Sequence, residues 1–177
     1  ERVVAIPGSH TTAALLLRLY CGDPPLIEVA FDKIPKVVLE GQADLGLLIH
    51  EGQITHPAMG LHKVLDLGKE WERETNLPLP LGINVVRRDL GEAVGAALSD
   101  ALRRSIAYAH AHVDEALEYA MKFGRGIDKE TCRRFVLMYV NDYTVTLGQE
   151  GRQALERLYA LAHQRGLIPQ IPPIDPV

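Results

Sequence analysis

The fold is decided by the stretch Val3-Val-Ala-Ile-Pro-Gly-Ser-His-Thr-Thr-Ala-Ala-Leu-Leu-Leu-Arg-Leu-Tyr20. Its first four residues form an apolar run typical of a buried strand, and Pro7-Gly8 is typical of a turn. The polar residues from Ser9 to Thr12 offer several N-caps for a helix over residues 13–20. A strand that leads through a glycine turn into a helix opens an α/β unit, in which ligands bind at the carboxyl ends of the strands.

The rest of the chain continues this alternation and then becomes helical. Further apolar runs predict four more strands, over residues 27–31, 43–49, 64–67 and 81–87. Helical patterns predict five more helices, over residues 34–40, 90–112, 114–123, 128–140 and 150–165. Asp114 and Asp128 are the expected N-caps of two of these helices. The element order predicts an α/β fold with parallel strand pairs, followed by an extended tail over residues 168–177.

Composition narrows the class of protein. The chain has 177 residues, of which 47% are hydrophobic and 24% charged, with a net charge of -4. The net negative charge and the scattered basic residues argue against nucleic-acid binding. No apolar run approaches the roughly 18 residues that span a bilayer. Cys21 and Cys132 form no disulfide framework, and no secretory signal is visible, so we expect free thiols in the cytoplasm.

The turn after the first strand is a candidate anion site. The first N–H groups of a helix have no partners inside the helix, and the helix dipole attracts negative charge to them. A carboxylate or phosphate is therefore expected on the N–H groups of Thr12 and Ala13, assisted by the hydroxyls of Thr11 and Thr12. Simple N-capping by Ser9 or a threonine is the alternative interpretation.

A second candidate follows the predicted strand over residues 43–49, where His50 and Glu51 precede Gly52. A histidine at a strand end can act as a base near neutral pH, or it can be a structural histidine bonded to a loop. The role of Glu51 stays open. Three of the histidines, at positions 50, 56 and 62, recur every six residues, which is no known metal-ligand spacing, so we expect no metal site.

Five segments in this order resemble the 1,4-dihydroxy-6-naphthoate synthase family of the futalosine route to menaquinone: Ile6–Ala13, Leu47–Gly52, Asp66–Gly82, Val85–Leu90 and Tyr139–Asn141. The resemblance extends over about residues 2–165. It implies a two-lobed, periplasmic-binding-protein-like (type II) fold with the active site in the cleft. The chain then corresponds mainly to the second lobe and the C-terminal helices.

The resemblance also implies an activity, that of a carbon–carbon lyase without metal or organic cofactor. Cyclic dehypoxanthinyl futalosine would be converted to 1,4-dihydroxy-6-naphthoate, with His50 as the proton acceptor. Thr12 and Ala13 match substrate-binding positions of the family, which makes a small-molecule carboxylate the expected partner. Chorismate dehydratase of the same pathway is an alternative, although it lacks the Ile-His-Glu element. A non-catalytic small-anion binding protein of the same fold is another.

Two departures from the family pattern affect the interpretation. Asn76 stands where the family usually has glycine, and Ile83-Asn84 replaces smaller residues. The family also has a segment before the first strand that builds most of the first lobe. We therefore expect an α/β lobe over residues 1–85, a helical part over residues 86–177 that returns to the first lobe, and little turnover by this chain in isolation. The sequence leaves the oligomeric state open.

Overall fold

Three short parallel strands form the sheet in the computed structural model, which describes residues 1–123 and 126–175. The strands are β1 (Val4–Ile6), β2 (Leu26–Glu28) and β3 (Leu45–Gly46), in the spatial order β2-β1-β3. Val4 pairs with Leu26 on one side and with Leu45 on the other. Because all three strands are parallel, their carboxyl ends lie at one edge of the sheet.

Helices make up most of the remaining described structure. The α-helices are α1 (Thr12–Cys21), α2 (Ile34–Leu39), α3 (Gly52–Thr55), α4 (Leu67–Thr75), α5 (Glu92–Ala111), α6 (Val113–Met121), α7 (Lys129–Tyr139), α8 (Asp142–Val145) and α9 (Gly148–Gln164). Two 3₁₀ turns span His56–Met59 and Arg88–Leu90. This mixed architecture confirms the predicted α/β class. None of the helices within the described ranges is long and apolar enough to cross a membrane.

Side chains on the two faces of β1 organise the core, because successive residues of a strand point to opposite faces. Val4 and Ile6 pack with Ala14 and Leu17 of α1. Ala5 packs on the other face with Ile34 of α2 and with Ala43. A further cluster joins α1, α4 and α9 around the fully buried Trp71. The sheet is therefore covered by helices on both faces, which fixes the entry to α1 and the exit from β3.

The chain divides into two compact units. The first comprises Glu1–Gly82 and Gln153–Pro173, and it contains the whole described sheet. The second comprises Ile83–Arg152 and Ile174–Val177 and is helical. Leu117 and Cys132 are buried in the second unit. The predicted boundary near residue 85 stays a prediction about the whole protein.

Two predicted strands, over residues 64–67 and 81–87, are wrong. Residues 61–66 and 81–87 have no strand structure, and α4 begins at Leu67. Their apolar side chains have no strand beside them within the described residues: Val64 is 74% exposed and Val85 83%. An apolar run becomes a strand only where a neighbouring strand receives its backbone hydrogen bonds.

Of the two N-caps predicted from the sequence, the structure confirms Asp128 and contradicts Asp114. The Asp128 carboxylate accepts a hydrogen bond from the Thr131 N–H at 2.9 Å, as expected of an N-cap. Asp114 is not an N-cap, because α6 begins at Val113 and His112 occupies the cap position. Asn76 ends α4 in the left-handed conformation, with φ 52°, which confirms that asparagine can replace glycine there. The described part of the predicted tail, to residue 175, has no helix or strand, and its last two residues lie outside the described ranges.

Candidate functional site

The turn after β1 is held together by its own polar groups. The Thr11 hydroxyl donates to the Gly8 carbonyl at 2.9 Å and accepts from the Ala14 N–H at 3.1 Å. Thr11 is thus the N-cap of α1, one of the residues that sequence patterns allowed for this role. Since this hydroxyl already makes both of these bonds, its expected contact with a ligand stays a prediction.

Two N–H groups at the start of α1 are available to a ligand. Neither the Thr12 N–H nor the Ala13 N–H has a hydrogen-bond acceptor within the described ranges, whereas the N–H groups of the next two residues are bonded to Thr11. The Thr12 hydroxyl donates to the Leu81 carbonyl at 3.0 Å, which ties the start of the helix to the segment after α4. The geometry is compatible with a bound carboxylate, because two adjacent N–H donors and the helix dipole attract the same charge.

A carboxylate of the protein already binds one N–H group of this turn. Glu28, the last residue of β2, accepts a hydrogen bond from the Ser9 N–H at 2.9 Å. Hydrogen bonds from Ser9, and to a smaller extent the nearby charge of His10, hold the pKa of Glu28 below its usual range. The Ser9 N–H thus donates to a carboxylate of the protein itself, and this bond fixes the position of Ser9 relative to β2.

His50 lies in a turn just beyond β3, on an unusual backbone. Its φ is 55°, in the left-handed region that residues with a Cβ rarely adopt. The side chain is exposed, and its ring contacts Phe31, with 4.6 Å between ring centroids and 53° between ring planes. The following residue, Glu51, is the N-cap residue of α3, and its carbonyl accepts from the N–H groups of Ile54 and Thr55. The Glu51 carboxylate does not cap that helix.

The sheet brings the two candidates to the same edge. β1 and β3 are adjacent and parallel, so the α1 start and His50 both follow carboxyl ends of neighbouring strands. β2, on the other side of β1, adds Glu28 as its last residue, and the loop after β2 adds Phe31. Sequence reasoning missed both of these residues. The signal was present in the predicted strand over residues 27–31, whose carboxyl end must lie at the same edge in a parallel sheet.

The other polar residues singled out by sequence have different surroundings. The His56 Nδ1 lies 3.1 Å from the Gln53 carbonyl within its own turn, and His62 is exposed. No three histidine, cysteine or acidic residues of the described structure lie close enough together to hold a metal ion. Cys21 and Cys132 are free, as expected, and Cys132 is buried whereas Cys21 is exposed. The sheet edge is therefore the place where polar groups converge.

A match to a protein family defines the class of this protein. The family model described as menaquinone biosynthesis matches residues 1–164, and the chain belongs to that family. The resemblance read from the five sequence segments is thereby confirmed.

Particular relatives carry a more specific name. A protein of Thermus thermophilus named 1,4-dihydroxy-6-naphthoate synthase is 47% identical over 164 residues, which are 93% of this chain and 60% of the relative. A protein of Streptomyces coelicolor with the same name is 35% identical over 178 residues, 97% of this chain and 63% of the relative. A crystal structure of an Archaeoglobus fulgidus protein superimposes with a TM-score of 0.92 at 49% identity, over 94% of this chain and 63% of that one. The chain thus spans less than two thirds of the length of each.

Proposed function

We propose that the whole protein to which this chain belongs is a 1,4-dihydroxy-6-naphthoate synthase of menaquinone biosynthesis. The observation that carries the proposal is the identity of 47% and 35% to two proteins of that name, across nearly the whole chain. The reaction is the conversion of cyclic dehypoxanthinyl futalosine to 1,4-dihydroxy-6-naphthoate, a carbon–carbon lyase reaction that uses no metal or organic cofactor. The activity is proposed for the whole protein, because the chain covers about 60% of these relatives.

The proposed roles of these residues come from the family resemblance, and their positions at the sheet edge support them. The N–H groups of Thr12 and Ala13 bind a carboxylate of the substrate, next to the Thr11 cap. His50 accepts the proton that the substrate loses. A positioned base of this kind typically contributes a factor of about 10² to 10⁴ in rate. Because the N–H groups and His50 follow neighbouring strands, binding the carboxylate places the substrate beside the base.

The fold and location are part of the same proposal. We assign the protein a periplasmic-binding-protein-like (type II) two-lobed fold, supported by the parallel sheet with helices on both faces. A cytoplasmic location is supported by the two free thiols, which persist in a reducing compartment.

The experiment is a turnover assay with the full-length protein. Purified wild type, His50→Ala and His62→Ala are incubated with cyclic dehypoxanthinyl futalosine, and 1,4-dihydroxy-6-naphthoate is measured by mass spectrometry. We expect product from wild type, a loss of about 10²-fold or more in His50→Ala, and wild-type rates in His62→Ala, which changes an exposed histidine elsewhere in the unit.

The outcomes separate the alternatives. Equal rates for wild type and His50→Ala would retain the reaction and remove His50 from its role. Absence of product from wild type would refute the synthase. The same protein is then given chorismate, where formation of a dehydrated product would identify the sister lyase. Binding of a carboxylate without turnover of either compound would identify an anion-binding protein.

A further inference from the structure

The loop between β2 and α2 supplies an aromatic ring to the candidate base. Phe31 is half-buried, and it contacts the exposed ring of His50 although β2 and β3 are separated by β1 in the sheet. The loops after the two outer strands therefore meet beside the carboxyl end of the central strand. An edge or tilted ring contact of this kind is geometrically specific, because each ring restricts the rotation of the other.

The backbone that carries Phe31 is well fixed. The Val29 N–H donates to the Ile6 carbonyl at 2.9 Å, which continues the pairing with β1 beyond β2. The Lys33 N–H donates to the Ala30 carbonyl at 2.8 Å and closes a turn around Phe31. α2 then begins at Ile34, which is fully buried against the sheet. The backbone at Phe31 is therefore anchored to the sheet on one side and to the start of α2 on the other.

The backbone of His50 is fixed by its turn, but its side chain is exposed at a left-handed position. A base must hold one nitrogen toward the substrate, and a tilted ring contact limits the rotation of the imidazole. We propose that Phe31 is a positioning residue, whose ring restricts the His50 imidazole to the orientation in which it accepts the proton. This inference rests on the proposed function of His50 and extends it to a residue on another strand.

The test compares Phe31→Leu, which keeps an apolar side chain but removes the ring, with Phe31→Tyr, which keeps the ring. In the full-length protein, we expect Phe31→Leu to lower kcat roughly tenfold with KM within about twofold of wild type. Phe31→Tyr should stay within about threefold of wild type. The matched control is Phe123→Leu, the same substitution at a ring that contacts Tyr119 in the second unit, where kcat should not change.

A second measurement reports on His50 without turnover. The imidazole C–H resonances of His50, identified by their loss in His50→Gln, are recorded by NMR in wild type and in the two Phe31 variants. Removing the Phe31 ring current should move these resonances in Phe31→Leu, and Phe31→Tyr should leave them near their wild-type positions. Phe123→Leu should leave them unchanged.

Each outcome decides the inference. The inference is overturned if Phe31→Leu has the kcat of wild type. It is also overturned if Phe31→Leu and Phe31→Tyr lose kcat equally and KM rises in both, because that result indicates general damage to the site. If wild type makes no product, the proposed function fails, and the NMR comparison then decides whether the Phe31 ring lies against the His50 imidazole. Unchanged His50 resonances in Phe31→Leu would overturn the inference in either case.

Discussion

The left-handed backbone at His50 makes a prediction about stability that is independent of the reaction. At φ 55°, a residue with a Cβ brings that atom close to a carbonyl oxygen, at a cost of about 1–2 kcal/mol. Glycine escapes this cost but loses more backbone freedom on folding, about 0.5–1 kcal/mol relative to alanine. The two variants His50→Gly and His50→Ala both remove the imidazole, so their difference isolates the backbone. We expect His50→Gly to be the more stable by about 0.5–1 kcal/mol.

Urea unfolding of the full-length protein, followed by circular dichroism, measures this difference. Two further pairs calibrate it. Asn76 also has a left-handed backbone, so Asn76→Gly should be more stable than Asn76→Ala. Glu72 is exposed in the interior of α4, where the sign should invert and alanine should be favoured by about 1 kcal/mol. If the control pairs behave in this way and His50→Ala is at least as stable as His50→Gly, the backbone assigned to His50 is refuted.

Three further predictions concern the first unit. Trp71→Phe removes the hydrogen bond from the indole N–H to the Pro78 carbonyl (3.1 Å) and leaves a void at a fully buried site. Urea unfolding should show that the free energy of unfolding falls by about 2–3 kcal/mol. An unchanged urea midpoint would contradict this packing. The hydrogen bond from Lys63 lowers the pKa of Asp66 in the folded protein below that in the unfolded chain. The ionised carboxylate therefore stabilises the fold above about pH 4, the pKa of an unfolded aspartate. This stabilisation is lost as the pH falls through the pKa of Asp66 in the folded protein. Asp66→Asn keeps the N-cap but cannot titrate, and its stability deficit relative to wild type should shrink in acid unfolding series. Burial and nearby carboxylates raise the pKa of Tyr20 to about 12 in the folded protein. The free energy of unfolding should therefore fall as the pH rises from about 10 toward 12. Tyr20→Phe should show a smaller fall over this range in unfolding curves recorded at alkaline pH.

Local signals were sufficient for the first α/β unit. The apolar run before Pro7, the threonine cap and the apolar helix each favour the same structure, and β1 and α1 lie within a residue or two of their predicted positions. The last helix, α9, ends at Gln164, one residue before the predicted end, and Gly166 follows with φ 71°, as is common for glycine after a helix. In these segments the preferred conformation is determined within a few residues of chain, so the sequence alone carries the information.

The failures arise where a distant part of the chain decides. The apolar run at residues 81–87 has the composition of a strand, yet the Leu81 carbonyl accepts from the Thr12 hydroxyl instead of a neighbouring strand. The apolar stripe of α5 at Val94, Leu98 and Leu102 predicts burial, but these residues are exposed in the second unit as described. Composition and periodicity reveal which faces are apolar, but the partner that covers a face is not encoded locally.

The same distinction applies within the candidate site. The helix start and His50 were visible because each combines a strand end with a characteristic local motif. Phe31 and Glu28 were not, because their partners lie 19 residues away in each case and depend on the order β2-β1-β3. The order of the strands is not encoded in any one of these segments. Once the order β2-β1-β3 is known, the carboxyl end of β2 and the loop that follows it are expected to contact the turn after β1 and the turn after β3.

In the proposed mechanism, substrate binding and proton transfer depend on different contacts. Glu28 accepts a hydrogen bond from the turn that leads to the Thr12 and Ala13 N–H groups, whereas Phe31 contacts His50. Because these contacts involve different loops, damage to the first should appear mainly in KM and damage to the second mainly in kcat. Both sets of contacts still depend on β1, because β2 pairs with one side of β1 and β3 pairs with the other. Because neighbouring strands of a parallel sheet lie about 4.8 Å apart, the pairing of β1 with β3 sets the distance scale between the proposed carboxylate site and the proposed base.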